Sequence, residues 1–168
     1  VRAASKHRVE LPDLPEPAKD GLARAFEAAL EHGQTTKTEV LMSIDADTGE
    51  ELHPATPGDR SSVVIPESLA NLLRTGRRNS IIMVHNHPGS SSFSDADLAV
   101  ASNYPSIEWF TVVGHNETRY AVKVGDGKRP RVKDLQNAWR GARLKRYKYY
   151  CDRIMHGELT ESEAWYEH

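Results

Sequence analysis

The stretch SIIMVHNHPGSSSFSDADLAVASNY, residues 80–104, decides the fold. Ile81 to Val84 form a short unbroken apolar run rich in β-branched residues, the pattern of a strand buried on both faces. Side chains of a strand alternate between faces, so His85 and His87 project to one side and Asn86 to the other. Pro88 cannot continue a central ladder, which puts the two imidazoles at the strand's exit, where open α/β sheets tend to hold ligands. PGSSSF then reads as a loop, Ser94 as a helix N-cap and Asp97 as the third helical residue, aimed back toward the histidines.

Working outward, "AKDGLARAFEAALEH" (residues 18–32) spaces Leu22, Ala25, Phe26, Ala29 and Leu30 by threes and fours, predicting an amphipathic helix with Gly33 as its C-cap. "TEVLMSID" and "EELHPA" flank "ADTG" as a hairpin, "SSVVIP" is another extended piece, and "PESLANLLRTG" a helix begun by Pro66 and closed by Gly76. "WFTVVG" repeats the buried-strand pattern and "RYAVKV" alternates. Strands and helices interleave, so the class is α/β or α+β with a mixed sheet. Residues 1–17, with three prolines near their end, read as a linker or arm. Residues 18–127 form the domain, and 128–168 a basic helical C-terminal extension.

The chain has 168 residues, 38% apolar and 27% charged, the composition of one ordinary globular domain with appendages. A net charge of -2 gives no global case for nucleic acid or an anionic membrane. Cys151 stands alone, which excludes an internal disulfide and a multi-cysteine zinc site. Any metal must be held by His and carboxylate. No run is long and apolar enough to span a membrane, and the first residues lack a signal-peptide centre, so a cytoplasmic protein is expected. A start at Val1 rather than Met suggests a piece of a larger polypeptide. Charge is uneven: residues 128–153 hold ten Lys or Arg against Asp134 and Asp152. Two helical stripes run through this segment, Leu135/Ala138/Trp139/Ala142 and Leu144/Tyr147/Cys151/Ile154/Met155, predicting a helix that docks on something and ends at His156–Gly157. TESE, from Thr160, reads as a capping box. Such a basic run is more often a solvated or docking face than a nucleic-acid contact.

Ser94 and Asp97 taken alone are most simply a helix cap, and His7, His32, His53, His156 and His168 ordinary surface groups. His115, after the buried strand "WFTVVG", is a candidate to support the site from behind. Two same-face histidines, a proline stop and a carboxylate at a helix start occurring together point further. Two imidazole nitrogens and one carboxylate oxygen are three zinc ligands, leaving a fourth position for water, the arrangement of a catalytic site.

H-x-H-P, a loop and S-x-x-D resemble the JAMM signature of the MPN/JAB superfamily. These are zinc-dependent peptidases and isopeptidases that include deubiquitinating enzymes and bacterial and phage relatives. The Asn of HNHP is similar to the RadC-like branch. The resemblance covers about residues 18–125, and the loop from His87 to Ser94 is one residue shorter than the family's usual pattern. It implies a JAB/MPN-like mixed sheet flanked by helices, similar to the cytidine deaminase-like architecture. It implies Zn2+ on His85, His87 and Asp97, with Asp95 as the substitute ligand. It also implies Glu39, forty-six residues before His85, as general acid/base in preference to Glu50, Glu51 or Glu67, and Ser94 as stabiliser of the developing oxyanion. The substrate implied is a protein or peptide, such as a ubiquitin-like protein; long deubiquitinase insertions are missing, favouring a bacterial or phage type. Two other classes compete: a RadC-like nucleic-acid-associated protein, using the basic segment 128–153, and a non-catalytic MPN interaction module, which the full set of ligand types argues against.

Overall fold

A computed structural model describes residues 11–124, 128–158 and 160. The chain divides into two compact units, Val1–Pro130 and Arg131–His168. The first opens with helix α1 (Glu16–Thr36), longer at both ends than the apolar spacing suggested. Its C-cap is Lys37, in the left-handed conformation with its N–H donating to the carbonyl of Gly33. Gly33 is thus inside the helix, not its cap. A Cβ there would stand 2.3 Å from Asn86 Nδ2 and 2.2 Å from His115 Nε2, so only glycine allows α1 to lie this close. The stretch read as an arm lies outside the described residues as far as Glu10. From there it belongs to the body, since Leu11 and Leu14 are buried in the same core cluster as α1.

The hairpin forms as expected, from β1 (Val40–Asp45) and β2 (Glu51–Pro57). Asp45 Oδ1 accepts the N–H groups of Asp47 and Thr48, and Gly49 takes a φ of 72°, which together close the turn. SSVVIP has no ladder partner. Asp59 gathers the N–H groups of Ser61 and Ser62 into a local turn, and Val64 is 81% exposed, so its β-branched run never enters the sheet. Helix α2 (Glu67–Thr75) follows Pro66 and stops at Gly76.

Strand β3 (Ile81–His87) is buried along its whole length. It pairs antiparallel with β1 and parallel with β4 (Ile107–Gly114), so it is the middle of a five-stranded mixed sheet ordered β2-β1-β3-β4-β5. Helix α3 (Asp95–Asn103) makes the crossover between β3 and β4. Strand β5 (Arg119–Lys123) pairs only with β4 and is half-buried throughout rather than alternating, as an edge strand partly covered on each face would be. On one face Ile82, Val84 and Val113 pack with Ala25, Phe26 and Ala29 of α1. His85 and His87 point away from α1.

The second unit contains α4 (Val132–Met155), ending at His156 and Gly157 as the sequence suggested. Of its second stripe, Leu144, Tyr147 and Met155 are exposed. TESE lies largely outside the described residues. No helix among the described residues is long and apolar enough to cross a membrane.

Candidate metal centre

Four side chains that the sequence spread over 59 positions, Glu39 to Asp97, come together at the exit of β3. Strand pleat puts His85 and His87 on one face, with ring centres 4.8 Å apart and planes almost perpendicular. Both rings are pinned by main chain. His85 Nδ1 lies 3.0 Å from the carbonyl of Val40, and His87 Nδ1 lies 2.9 Å from the carbonyl of Ser91. A carbonyl oxygen can only accept, so each Nδ1 carries the proton and donates. The Nε2 of a neutral ring is then a free lone pair, and both Nε2 atoms face the carboxylates.

His85 Nε2 is 3.2 Å from Glu39 Oε2 and 3.9 Å from Asp97 Oδ1, and His87 Nε2 is 3.4 Å from Asp97 Oδ2. Ligands about 2.1 Å from a tetrahedral zinc stand roughly 3.4 Å from one another, so two of these separations are already ligand-to-ligand edges. Ligand atoms of Glu39, His85 and His87 lie within 4.8 Å of one another, and all three residues are buried. That trio can hold a metal ion. Asp97, the third ligand expected from sequence, touches both rings as well, so two carboxylates compete for the position. Asp95, the substitute, is exposed in the first turn of α3.

Ser94 and Asp97 form the capping box of α3. Asp97 Oδ2 accepts the Ser94 N–H at 2.6 Å and the Ser94 hydroxyl at 2.7 Å, while Ser94 Oγ accepts the N–H of Asp97. The hydroxyl proton is committed to the carboxylate. In this arrangement Ser94 orients Asp97, and an oxyanion contact requires the hydroxyl to turn.

Burial works against the charged form of His87, but its bond to Asp97, that carboxylate's charge, the Ser91 carbonyl and Glu39 together hold its pKa above the ordinary imidazole value. Burial likewise pushes the Asp97 carboxyl up, and the bond to His87, the charge of His85 and the two Ser94 donors outweigh it and hold the pKa below the ordinary range. The two shifts share the His87–Asp97 pairing: the carboxylate favours the charged ring, and the rings and Ser94 donors favour the charged carboxylate. The same groups line an open cleft of about 320 Å³, together with Arg60 and Val63 of the segment after β2 and with Ser91 and Val100.

Glu39 sits one residue before β1. Glu50, Glu51 and Glu67 are exposed and take no part in the cluster. His115 stays out of it too, 3.3 Å from Asn86 Nδ2 on the α1 side of the sheet. Burial and the charge of Lys37 depress its pKa. Sequence reasoning missed Asn86, fully buried, and the turn at Asp59. The latter's carbonyl accepts the Glu39 N–H, and Gly58 N–H donates to the Glu39 carbonyl. Asp59 followed by two serines was the available signal, an Asx-turn pattern. Comparisons with protein families, with curated proteins and with solved structures find no match for this chain.

Proposed function

We propose that this centre binds zinc and hydrolyses a peptide or isopeptide bond of a protein substrate in the manner of the JAMM peptidases, a ubiquitin-like protein being one candidate. The observation that carries the reading is the pair of Nδ1–H bonds to main-chain carbonyls, which leaves two imidazole lone pairs converging on two buried carboxylates. Lone pairs and negative groups facing one point call for positive charge between them; a proton on the His87 ring serves its pairing with Asp97, and a divalent ion satisfies all four groups at once.

His85, His87 and Asp97 are assigned as ligands. Asp97 reaches both rings and is anchored by Ser94, whereas the Glu39 contact is to one ring. When bound, the zinc supplies a Lewis acid that lowers the pKa of a coordinated water toward about 7. Glu39 then serves as general base, accepting a proton from the attacking water at its carboxylate and returning it to the departing amine nitrogen. Freed from its bond to Asp97, the Ser94 hydroxyl can donate to the oxyanion.

The test is zinc analysis of the purified chain with hydrolysis of ubiquitin C-terminal fusions and a mixed peptide library. Glu39→Gln is expected to keep its zinc and lose about 10²-fold or more of the turnover, as removal of a general base does. Asp97→Ala is expected to lose the metal. Retention of zinc by Asp97→Ala with loss in Glu39→Gln would exchange the two roles. A chain that neither binds zinc nor cleaves any probe defeats the proposal.

A further inference from the structure

The β1·β3 ladder stops at Leu41↔His85, one pair short of the residues that flank Glu39. Where the next rung would fall, the side chain of Asn86 takes over. Its Oδ1 accepts the Val40 N–H at 2.6 Å, and its Nδ2 donates to the Thr38 carbonyl at 3.0 Å. Val40 can only donate there and Thr38 only accept, so the amide has one possible orientation. In extended chain, the carbonyl of residue i−1 and the N–H of residue i+1 face the same way. The primary amide therefore pairs with both at once, as a peptide group would, and the residue between them is Glu39. The opposite backbone edge of Glu39 is held by the Gly58 N–H and the Asp59 carbonyl. The Val40 carbonyl is taken by His85 Nδ1.

We infer that Asn86 is a positioning residue for Glu39: it fixes the main chain on both sides of the general base, so that only the Glu39 side-chain torsions remain to be set. This rests on the functional reading above. The placement explains two features with no role otherwise. Asn86 is fully buried on the face away from the histidines, where an apolar residue would pack better against α1. Gly33 is the one residue type that admits this amide beneath the helix. Consecutive residues of β3 thus serve opposite faces: His85 and His87 supply ring nitrogens, and the amide between them sets the backbone of the residue that works beside them.

Three measurements on the full chain test it, using Asn86→Ala, which removes both bonds, and Asn86→Asp, which keeps an acceptor for Val40 but sets an oxygen against the Thr38 carbonyl. Asn86→Ala should bind zinc with wild-type stoichiometry. The Val40 amide should exchange with solvent at least about tenfold faster in the metal-free chain. On the fusion or peptide that the wild type cleaves, kcat should fall about 10²-fold with KM unchanged, and Asn86→Asp should lie between. Added to Glu39→Gln, Asn86→Ala should cost nothing further, since the base it positions is already gone. An equal loss in both backgrounds, or unchanged kcat and Val40 exchange in a zinc-loaded variant, overturns the inference. If Asn86→Ala does not fold, Asn86→Asp carries the same comparison. If the wild type takes no zinc and cleaves nothing, it is the functional reading that has failed; the exchange rate of Val40 then decides whether the clamp itself exists.

Discussion

Zinc should stabilise this chain against heat, and His87→Ala should abolish the effect. Binding confined to the folded state contributes RT ln(1 + [L]/Kd), about 2.7 kcal/mol when free zinc is a hundredfold above Kd. For a body of this size each kcal/mol moves the midpoint by about 4 °C, so the expected rise is roughly 10 °C. On the proposed reading the whole effect comes from one ion: His85, His87, Glu39 and Asp97 converge, with their closest contacts between 3.2 and 3.9 Å, and His87 is the ring that approaches Asp97 Oδ2, at 3.4 Å. Removing that ring leaves two competing carboxylates and one nitrogen, too few nitrogens for a tight zinc site. Differential scanning calorimetry with zinc and then with excess chelator measures the shift within each protein. The comparison is of shifts and not of midpoints, because the variant also leaves the buried Asp97 without its partner and is less stable from the outset. A rise of equal size in wild type and His87→Ala would place the ion elsewhere. No rise in the wild type would remove the metal centre altogether.

The same shift should depend on pH in a direction fixed by His87. Its folded pKa lies above the ordinary 6.5, so the His87–Asp97 pair stabilises the metal-free chain fully below 6.5 and loses that contribution as pH rises through the raised value. Zinc needs the unprotonated ring, so its stabilisation grows over that same window; a zinc shift that shrinks with rising pH contradicts this. Ser94→Ala removes a helix cap worth about 1 kcal/mol and one of the two bonds that hold Asp97 Oδ2, the hydroxyl's, while the backbone N–H bond stays, so zinc affinity measured by competition with a chromogenic chelator should weaken about tenfold. Unchanged affinity would show that Asp97 needs no anchor. Gly33→Ala forces a methyl to within 2.2 Å of His115 and 2.3 Å of Asn86, and should cost about 1–3 kcal/mol by urea unfolding; a neutral result would mean that α1 can lift away without loss.

Much of the frame was legible because local pattern and burial agree. The run before His85 read as a doubly buried strand, and it is the middle strand of the sheet. Ser94 and Asp97 read as a cap, and they form a capping box. The histidines shared a face by pleat alone. What failed were readings in which tertiary context overrode local preference. Val63 to Ile65 have the composition of a strand, yet Asp59 turns the chain before any partner is reached. Gly33 looked like a helix stop because glycine usually is one, whereas here close packing demands it. Glu39 could not be told from its neighbouring glutamates by spacing, since its placement depends on Asn86 and on the loop at Asp59, contacts that span up to forty-eight positions.

The two imidazoles owe their tautomers to carbonyl groups, which every amino acid possesses. A replacement at Val40 that leaves the chain in place therefore keeps the His85 tautomer, and one at Ser91 removes the hydroxyl 3.2 Å from His87 Nδ1 but not the carbonyl that accepts its proton. Drift in the other surrounding side chains leaves the ring tautomers intact, and the side chains exposed to loss by point mutation are the histidines, the two carboxylates and the Ser94 anchor of Asp97. Ring orientation here is inherited with the path of the polypeptide.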